Sequence, residues 1–276
     1  TSQDMVDLLG SSADIEKAIS NSLGFSRTLD STGQIYPRSF DFDVVSALVQ
    51  LAAAPSNLAT TIRLLAGHEL VSEGFAPNQV GSSAMPHKMN SRSCERINGL
   101  AVVLRGYLSM ISEISGDQWN EGDVSDSVVR RVALSDAFFA LDAIIETTLT
   151  VLNEFGIFEA NINREIQEQL PFLATTKILM AAVKAGAGRE SAHEALKEIA
   201  TNALIAKRDG KAVSLIDAIA ADSRIPLDKS TLDELIKNPI EFIGDATSQT
   251  ERVIARIGGA IKPFPTASSY RPGAIR

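Results

Sequence analysis

The chain has 276 residues, 45% hydrophobic and 22% charged, a balance that fits a folded globular protein and excludes a disordered tail. Its formal net charge of −8 argues against broad binding to nucleic acid or anionic membranes, although a few local arginines and helix ends can still set the potential of one cleft. The single cysteine, Cys94, excludes an internal disulfide and fits a reducing, cytoplasmic setting, and no run approaches the roughly 18 apolar residues of a membrane span.

The first residues, Thr1 to Asp7, carry two acids and no basic stretch, so they do not resemble a signal peptide. The absence of a methionine before Thr1 suggests a fragment or a processed chain. Next comes a heptad-like series, Val44, Leu48, Leu51, Pro55, Leu58, Ile62 and Leu65, which predicts a long helix with one apolar seam and a kink at Pro55. Gly74 to Ser91, rich in Gly, Pro, Ser and Asn, reads as a long loop, and loops of that length inside a domain are often functional. Two more seams follow: Ile97, Leu100, Leu104, Tyr107, Ile111 and Ile114, then Leu134, Phe138, Leu141, Ile145, Thr148, Leu152 and Phe155. Seams sustained over several turns pack as bundles of near-parallel helices.

After Gly156 the pattern breaks into shorter helices punctuated by Gly186, Gly188, Gly210, Pro226 and Pro239. Thr231 with Glu234 suggests a capping box, and Asn238 before Pro239 suggests a helix start. The expectation is an all-α chain: a long-helix bundle domain over 1–157, with its functional loop at 74–91, and a smaller helical domain over 158–276. There is no internal repeat, low-complexity tract or useful strand-like alternation. Three scattered histidines and one cysteine make no recognisable metal set.

The run Gly81-Ser82-Ser83-Ala84-Met85-Pro86-His87-Lys88-Met89-Asn90 resembles the GSSxMPxKxNP signature loop of the fumarase/aspartase superfamily. His87, Arg92, Ser93, Glu95 and Arg96 make the segment similar to adenylosuccinate lyases within it. Upstream, Thr32-Gly33-Gln34 and Arg38 resemble that family's substrate-contacting turn. Downstream, Trp119-Asn120-Glu121 and Ser127 to Arg131 resemble its nucleotide-phosphate segment. The resemblance covers nearly the whole chain, but only the later part of a typical member.

The activity so implied is elimination of fumarate from a succinylated purine nucleotide, or from its imidazole-carboxamide analogue SAICAR. A proton leaves the carbon beside a carboxylate, charge spreads onto that carboxylate, and the purine nitrogen departs. Such a reaction needs a base, donors for the developing charge, and an acid for the nitrogen. The resemblance makes Ser82 the base. A serine hydroxyl hardly ionises near neutral pH, so it needs neighbouring positive potential, which Lys88 supplies while also holding the carboxylate. Asn90 offers amide donors to the same carboxylate. The competing view of Ser82 and Ser83 is that they are turn residues satisfying their own backbone. Ser83 is the fallback base or a supporting donor, and Met85 is carried over as a substrate contact. An unperturbed imidazole titrates near pH ~6.5, which makes His87 tempting as a general acid, yet ligand contact or loop packing suits its motif position better. His68 and His193 read as surface or structural residues.

In the family the counterpart of Glu95 orients a catalytic histidine; the alternative here is an intrahelical pair with Arg92, worth only a few tenths of a kcal/mol. Arg96 resembles a substrate-binding arginine, with a surface salt bridge as its alternative. Ser127 and Arg131, four apart, share a helix face, and a hydroxyl beside a guanidinium suits a nucleotide phosphate. Arg130 points elsewhere. Gln34 resembles an amide that bonds substrate. Two departures stand out: Ser91 replaces the motif's final proline, still a good cap residue, and Gly122 stands where a phosphate-binding arginine often sits. The family's catalytic histidines lie upstream of Thr1, so the chain is expected to lack its general acid. The resemblance also implies a homotetramer with shared active sites and no metal or organic cofactor. The alternatives are a sister lyase of the argininosuccinate lyase or carboxymuconate cycloisomerase type, or a non-catalytic helical fragment.

Overall fold

Apolar residues at three- and four-residue spacing build three long helices, preceded by two short ones. In the computed structural model, residues 3–74, 85, 89–117, 119 and 124–273 are described. They contain α1 (Gln3–Leu9), α2 (Ser12–Leu23), α3 (Ser39–Gly67), α4 (Arg92–Ile114) and α5 (Val124–Glu154). The α2 helix is fixed at both ends by its own sequence. Ser11 and Asp14 form a reciprocal capping box, and Gly24 closes the C-terminus at φ 77°. The described residues divide into two compact units, one reaching from residue 3 to 63 and resuming over 90–152, the other formed by 64–74, 85, 89 and 153–273.

In the first unit the inner faces are lined by smaller residues than the sequence seams suggest. From α3 the buried set includes Val45, Leu48, Ala52, Ala59 and Ile62. From α4 it is Cys94, Ile97, Ala101, Leu104 and Ile111, in agreement with the predicted seam. On α5 Ala133, Ala137, Ala140, Leu141, Ile144 and Val151 turn inward. The larger side chains predicted as core, Val44, Leu51 and Leu58 on α3 and Phe138, Ile145 and Leu152 on α5, lie exposed on neighbouring stripes. These helices therefore carry two apolar faces, of which the chain itself buries the alanine-rich one.

The α3 helix runs on through Pro55. One turn away, Asn98 of α4 fastens to it. Its Nδ2 donates to the Ser56 carbonyl at 2.8 Å, to Ser56 Oγ at 3.1 Å and to Thr60 Oγ1 at 3.2 Å. Its Oδ1 accepts from Arg63 Nη1 at 2.9 Å. By length and composition alone α3 and α4 could each cross a membrane. Their polar content argues for a water-facing bundle: α3 buries the ion-paired Asp41, and α4 exposes Arg92, Glu95, Arg96 and Arg105. Ser91 does occupy the residue before α4, but its side chain makes no capping bond.

The second unit contains α6 (Glu159–Leu173), α7 (Thr175–Lys184), α8 (Arg189–Arg208), α9 (Leu215–Ala220), α10 (Lys229–Ile236), a 3-10 turn (Pro239–Phe242), α11 (Ala246–Ile261) and α12 (Pro265–Ser269). Its core joins Ala174, Ile178, Ala182, Ala192, Ala195, Leu196, Ala203, Leu215, Ile216, Ile219, Ile225 and Leu232. The α10 helix starts earlier than Thr231. Asp228 is the cap, its carboxylate accepting the Thr231 amide at 2.8 Å, because a charged acceptor at the helix start outcompetes the box read from Thr231 and Glu234. Asn238 precedes only the 3-10 turn and makes no side-chain cap.

A two-residue pairing, β1 (Val71–Ser72) antiparallel to β2 (Gly156–Ile157), was not legible in the sequence. Beside it Gly74 sits at φ +92°, its amide bonded to Ser72 Oγ at 3.0 Å. A Cβ there would lie 2.4 Å from the Glu154 Cβ and 2.6 Å from its carbonyl oxygen. Gly74→Ala is therefore expected to lower stability by about 2–4 kcal/mol through strain and overlap together. Denaturant unfolding checks this, and a loss below about 0.5 kcal/mol would contradict the geometry.

Candidate functional site

The N-terminal turns of α3 and α5 each bury an aspartate, Asp41 and Asp126, where the helix dipole favours negative charge. Each is matched by an arginine from the other element. Arg38, just ahead of α3 and itself buried, donates from Nε to Asp126 Oδ2 at 2.6 Å. Arg130, on α5, donates from Nε to Asp41 Oδ2 at 2.6 Å. The two pairs cross, so they tie the Gln34–Arg38 turn and the start of α3 to the start of α5. Tyr36 completes the cluster. Its hydroxyl donates to Asp41 Oδ1 at 2.7 Å and accepts from Arg130 Nη2. Its ring lies 4.9 Å from the Arg38 guanidinium and 5.4 Å from that of Arg130.

Burial first, then the bond to Asp41 and its charge, push the Tyr36 phenol above its ordinary value, against the pull of Arg130 and Arg38. The Arg130 guanidinium is also raised: its burial works against the charge, and the bond and charge of Asp41 outweigh it. A raised tyrosine value means the folded state holds that proton more tightly. Its contribution to stability is complete below the unfolded value near ~10 and is lost as pH rises through the folded one. Of the three tyrosines, one is thus expected to ionise late in an alkaline absorbance titration, and Tyr36→Phe to remove that late phase. Three phases at ordinary tyrosine values would exclude the cluster in solution.

Of the residues singled out in the sequence, Ser82, Ser83, His87 and Lys88 lie outside the described residues, as do Asn120, Glu121 and Gly122. Met85 and Met89 are exposed, and Asn90 is half-buried. Gln34 is exposed on the turn before α3. Ser127 is half-buried in the first turn of α5, its hydroxyl donating to Asp126 Oδ1 at 3.2 Å. Arg131 is exposed, without an ion partner among the described residues. Arg38, read from the sequence as part of a contacting turn, is instead committed to a buried pair. Glu95 and Arg96 are exposed in the first turns of α4, and Glu95 makes no ion pair with Arg92. Among the described residues no group of three or more His, Cys, Asp or Glu is placed to hold a metal.

These positions fall into two groups along α3. Gln34, Ser127 and Arg131 belong with the Asp41 level. Glu95 and Arg96 lie next to Asn98, which sits at the Ser56 to Thr60 level. From Asp41 to Ser56 is fifteen residues, on the order of 20 Å along the helix axis. Within the first unit of one chain the two groups do not meet. Tyr36, Asp41 and Asp126 went unnoticed in the sequence, because nothing local marks a pairing across 88 or 89 residues.

Residues 8–106 match the family model described as Lyase, and residues 171–253 match the one described as Adenylosuccinate lyase C-terminus. The chain is 34% identical over 252 residues to the adenylosuccinate lyase of Saccharomyces cerevisiae and 33% identical over 253 residues to that of Schizosaccharomyces pombe. Each match covers 91% of this chain and 52% of the relative, so the chain spans about half the length of the curated relatives it matches. In fold it resembles the 3-carboxy-cis,cis-muconate lactonizing enzyme of Pseudomonas putida, with a TM-score of 0.73 at 21% identity over 91% of this chain and 55% of that one.

Proposed function

We propose that the chain is the later half of an adenylosuccinate lyase, and that it supplies the base and nucleotide contacts of an enzyme eliminating fumarate from adenylosuccinate and SAICAR. The observation that carries this proposal is the run from Gly81 to Asn90, set in a chain that aligns over 91% of its length with relatives named for that activity. Ser82 takes the proton, and Lys88 with Asn90 holds the carboxylate as charge moves onto it. Gln34 bonds the substrate, Ser83, Met85 and His87 line it, and Arg96 binds it. Ser127 and Arg131 take the nucleotide phosphate, helped by the positive end of α5. Glu95 orients a histidine supplied by the rest of the enzyme. The domains that serve this chemistry are the bundle over 1–157 and the helical domain over 158–276.

The site is assembled from several copies of the chain in a cytoplasmic homotetramer. Two features support this: the separation of Glu95 and Arg96 from Gln34, Ser127 and Arg131, and the second apolar faces left open on the long helices. Phe40, Val44 and Leu51 on α3, Val102 and Val103 on α4, and Val128, Phe138 and Phe139 on α5 are all exposed.

The test follows fumarate release from adenylosuccinate, first by this chain alone and then together with the remaining part of the family fold. Activity only in the combination, in a particle holding four copies of this chain by sedimentation, is the expected result. Turnover of a different amino-dicarboxylate in a well-assembled particle would move the assignment to a sister lyase.

A further inference from the structure

We propose that the crossed pairs Arg38–Asp126 and Arg130–Asp41, with Tyr36 bridging the second, are a positioning clamp that aims Ser127 and Arg131 at a nucleoside monophosphate; this rests on the phosphate role given to those two residues above. Asp126 and Arg130 are four apart on α5 and face the start of α3, where both are paired at 2.6 Å. Ser127 and Arg131 are the next residues along, so they lie on a stripe turned by about 100° from the clamped one. Pinning the first stripe at two points fixes the rotation of α5 about its axis and hence the direction of the second. The same contacts hold Tyr36, two residues beyond Gln34, against both arginines.

Charge makes the same point. Asp126 also accepts the Ser127 hydroxyl, at 3.2 Å, so a carboxylate sits directly behind a residue meant to receive a phosphate. An uncompensated aspartate there would repel that anion. Arg38 neutralises Asp126 and Arg130 neutralises Asp41, so the two carboxylates and two guanidiniums sum to zero. Among the described residues, the exposed Arg131 and the α5 N-terminus then favour an anion. Neither Arg130 nor Tyr36 needs to touch the ligand for this to work.

The experiment measures inhibition of fumarate release by AMP and by adenosine in the assembled enzyme, for wild type, Tyr36→Phe, Arg130→Met and Arg130→Lys. The wild type is expected to prefer AMP over adenosine. Arg130→Met is expected to cut that preference about tenfold or more and to raise KM, with kcat within about threefold of wild type. Arg130→Lys restores most of the preference. Tyr36→Phe keeps the ring and removes only the bridging hydroxyl, so it carries the test if Arg130→Met does not fold; a threefold or larger fall in preference is expected. An unchanged AMP-to-adenosine ratio in the variants, with only a lower melting temperature, overturns the clamp and makes the cluster purely structural. A wild type with no AMP preference overturns the phosphate role of Ser127 and Arg131, a result visible before any variant is made.

Discussion

Asp126→Ala is expected to lower the stability of the long-helix unit by about 3–5 kcal/mol, the range for removing one partner from a buried ion pair. Both side chains of the Arg38–Asp126 pair are below a tenth exposed and meet at 2.6 Å. The loss arises less from missing attraction than from leaving the Arg38 charge buried without its carboxylate. Asp126→Asn keeps an acceptor and is expected to cost less. Replacing both partners by apolar residues of similar size, Arg38→Met with Asp126→Leu, is expected to recover most of the loss, since neither charge then needs compensation. Glu194→Ala serves as the contrast. Its pair with Lys197 is more than half exposed on both sides and is worth no more than about 1 kcal/mol. Urea unfolding at one fixed chain concentration compares the four, because association would otherwise shift the midpoints. A loss below about 1 kcal/mol for Asp126→Ala would mean that water reaches the pair in solution.

Such a pair marks the limit of what the sequence disclosed. The all-helical bundle was legible because residues such as Ile97, Leu104 and Ile111 recur at heptad spacing and do turn inward. On α3 and α5 the same spacing was half right: Leu48, Ile62 and Leu141 turn inward, while Val44, Leu51, Leu58, Phe138, Ile145 and Leu152 lie on an open stripe. Leu51 and Phe138 outweigh Ala52 and Ala137 in any hydrophobic pattern, yet the alanines are the buried ones. A pattern cannot distinguish a face that packs within the chain from one left open for another chain. Electrostatics failed for a related reason. Spacing alone offers Arg38 to Asp41, three apart, and Asp126 to Arg130, four apart, both good local partners. The fold exchanges them, since crossed pairs tie two helix starts together where local pairs would tie nothing. The site motif was legible as a run of residue types, whereas the distance along α3 between Glu95 and Ser127 exists only once the helices are placed.

Ser82→Ala is expected to lower kcat for fumarate release by about 10²–10⁴, the usual contribution of a positioned base, with little change in KM. The split follows from the division of labour proposed for the chain. In that proposal Gln34, Ser127 and Arg131 supply binding that is the same in substrate and transition state, and none of them is altered. Lys88→Ala is expected to lower kcat by about 10²–10³, since the role proposed for it is to hold charge that grows during the reaction. If Lys88 also supplies the potential that lets Ser82 give up its proton, the two losses share one cause. The double variant should then fall little below the worse single one, as for residues that act as a unit. Additive losses would separate the roles and leave Ser82 to be activated by another group. A Ser82→Ala enzyme within about threefold of wild type would transfer the base to Ser83, whose own alanine variant then becomes the deciding measurement. Exchange of the substrate's abstracted hydrogen with solvent gives the independent reading: it should vanish with the true base and survive loss of the acid.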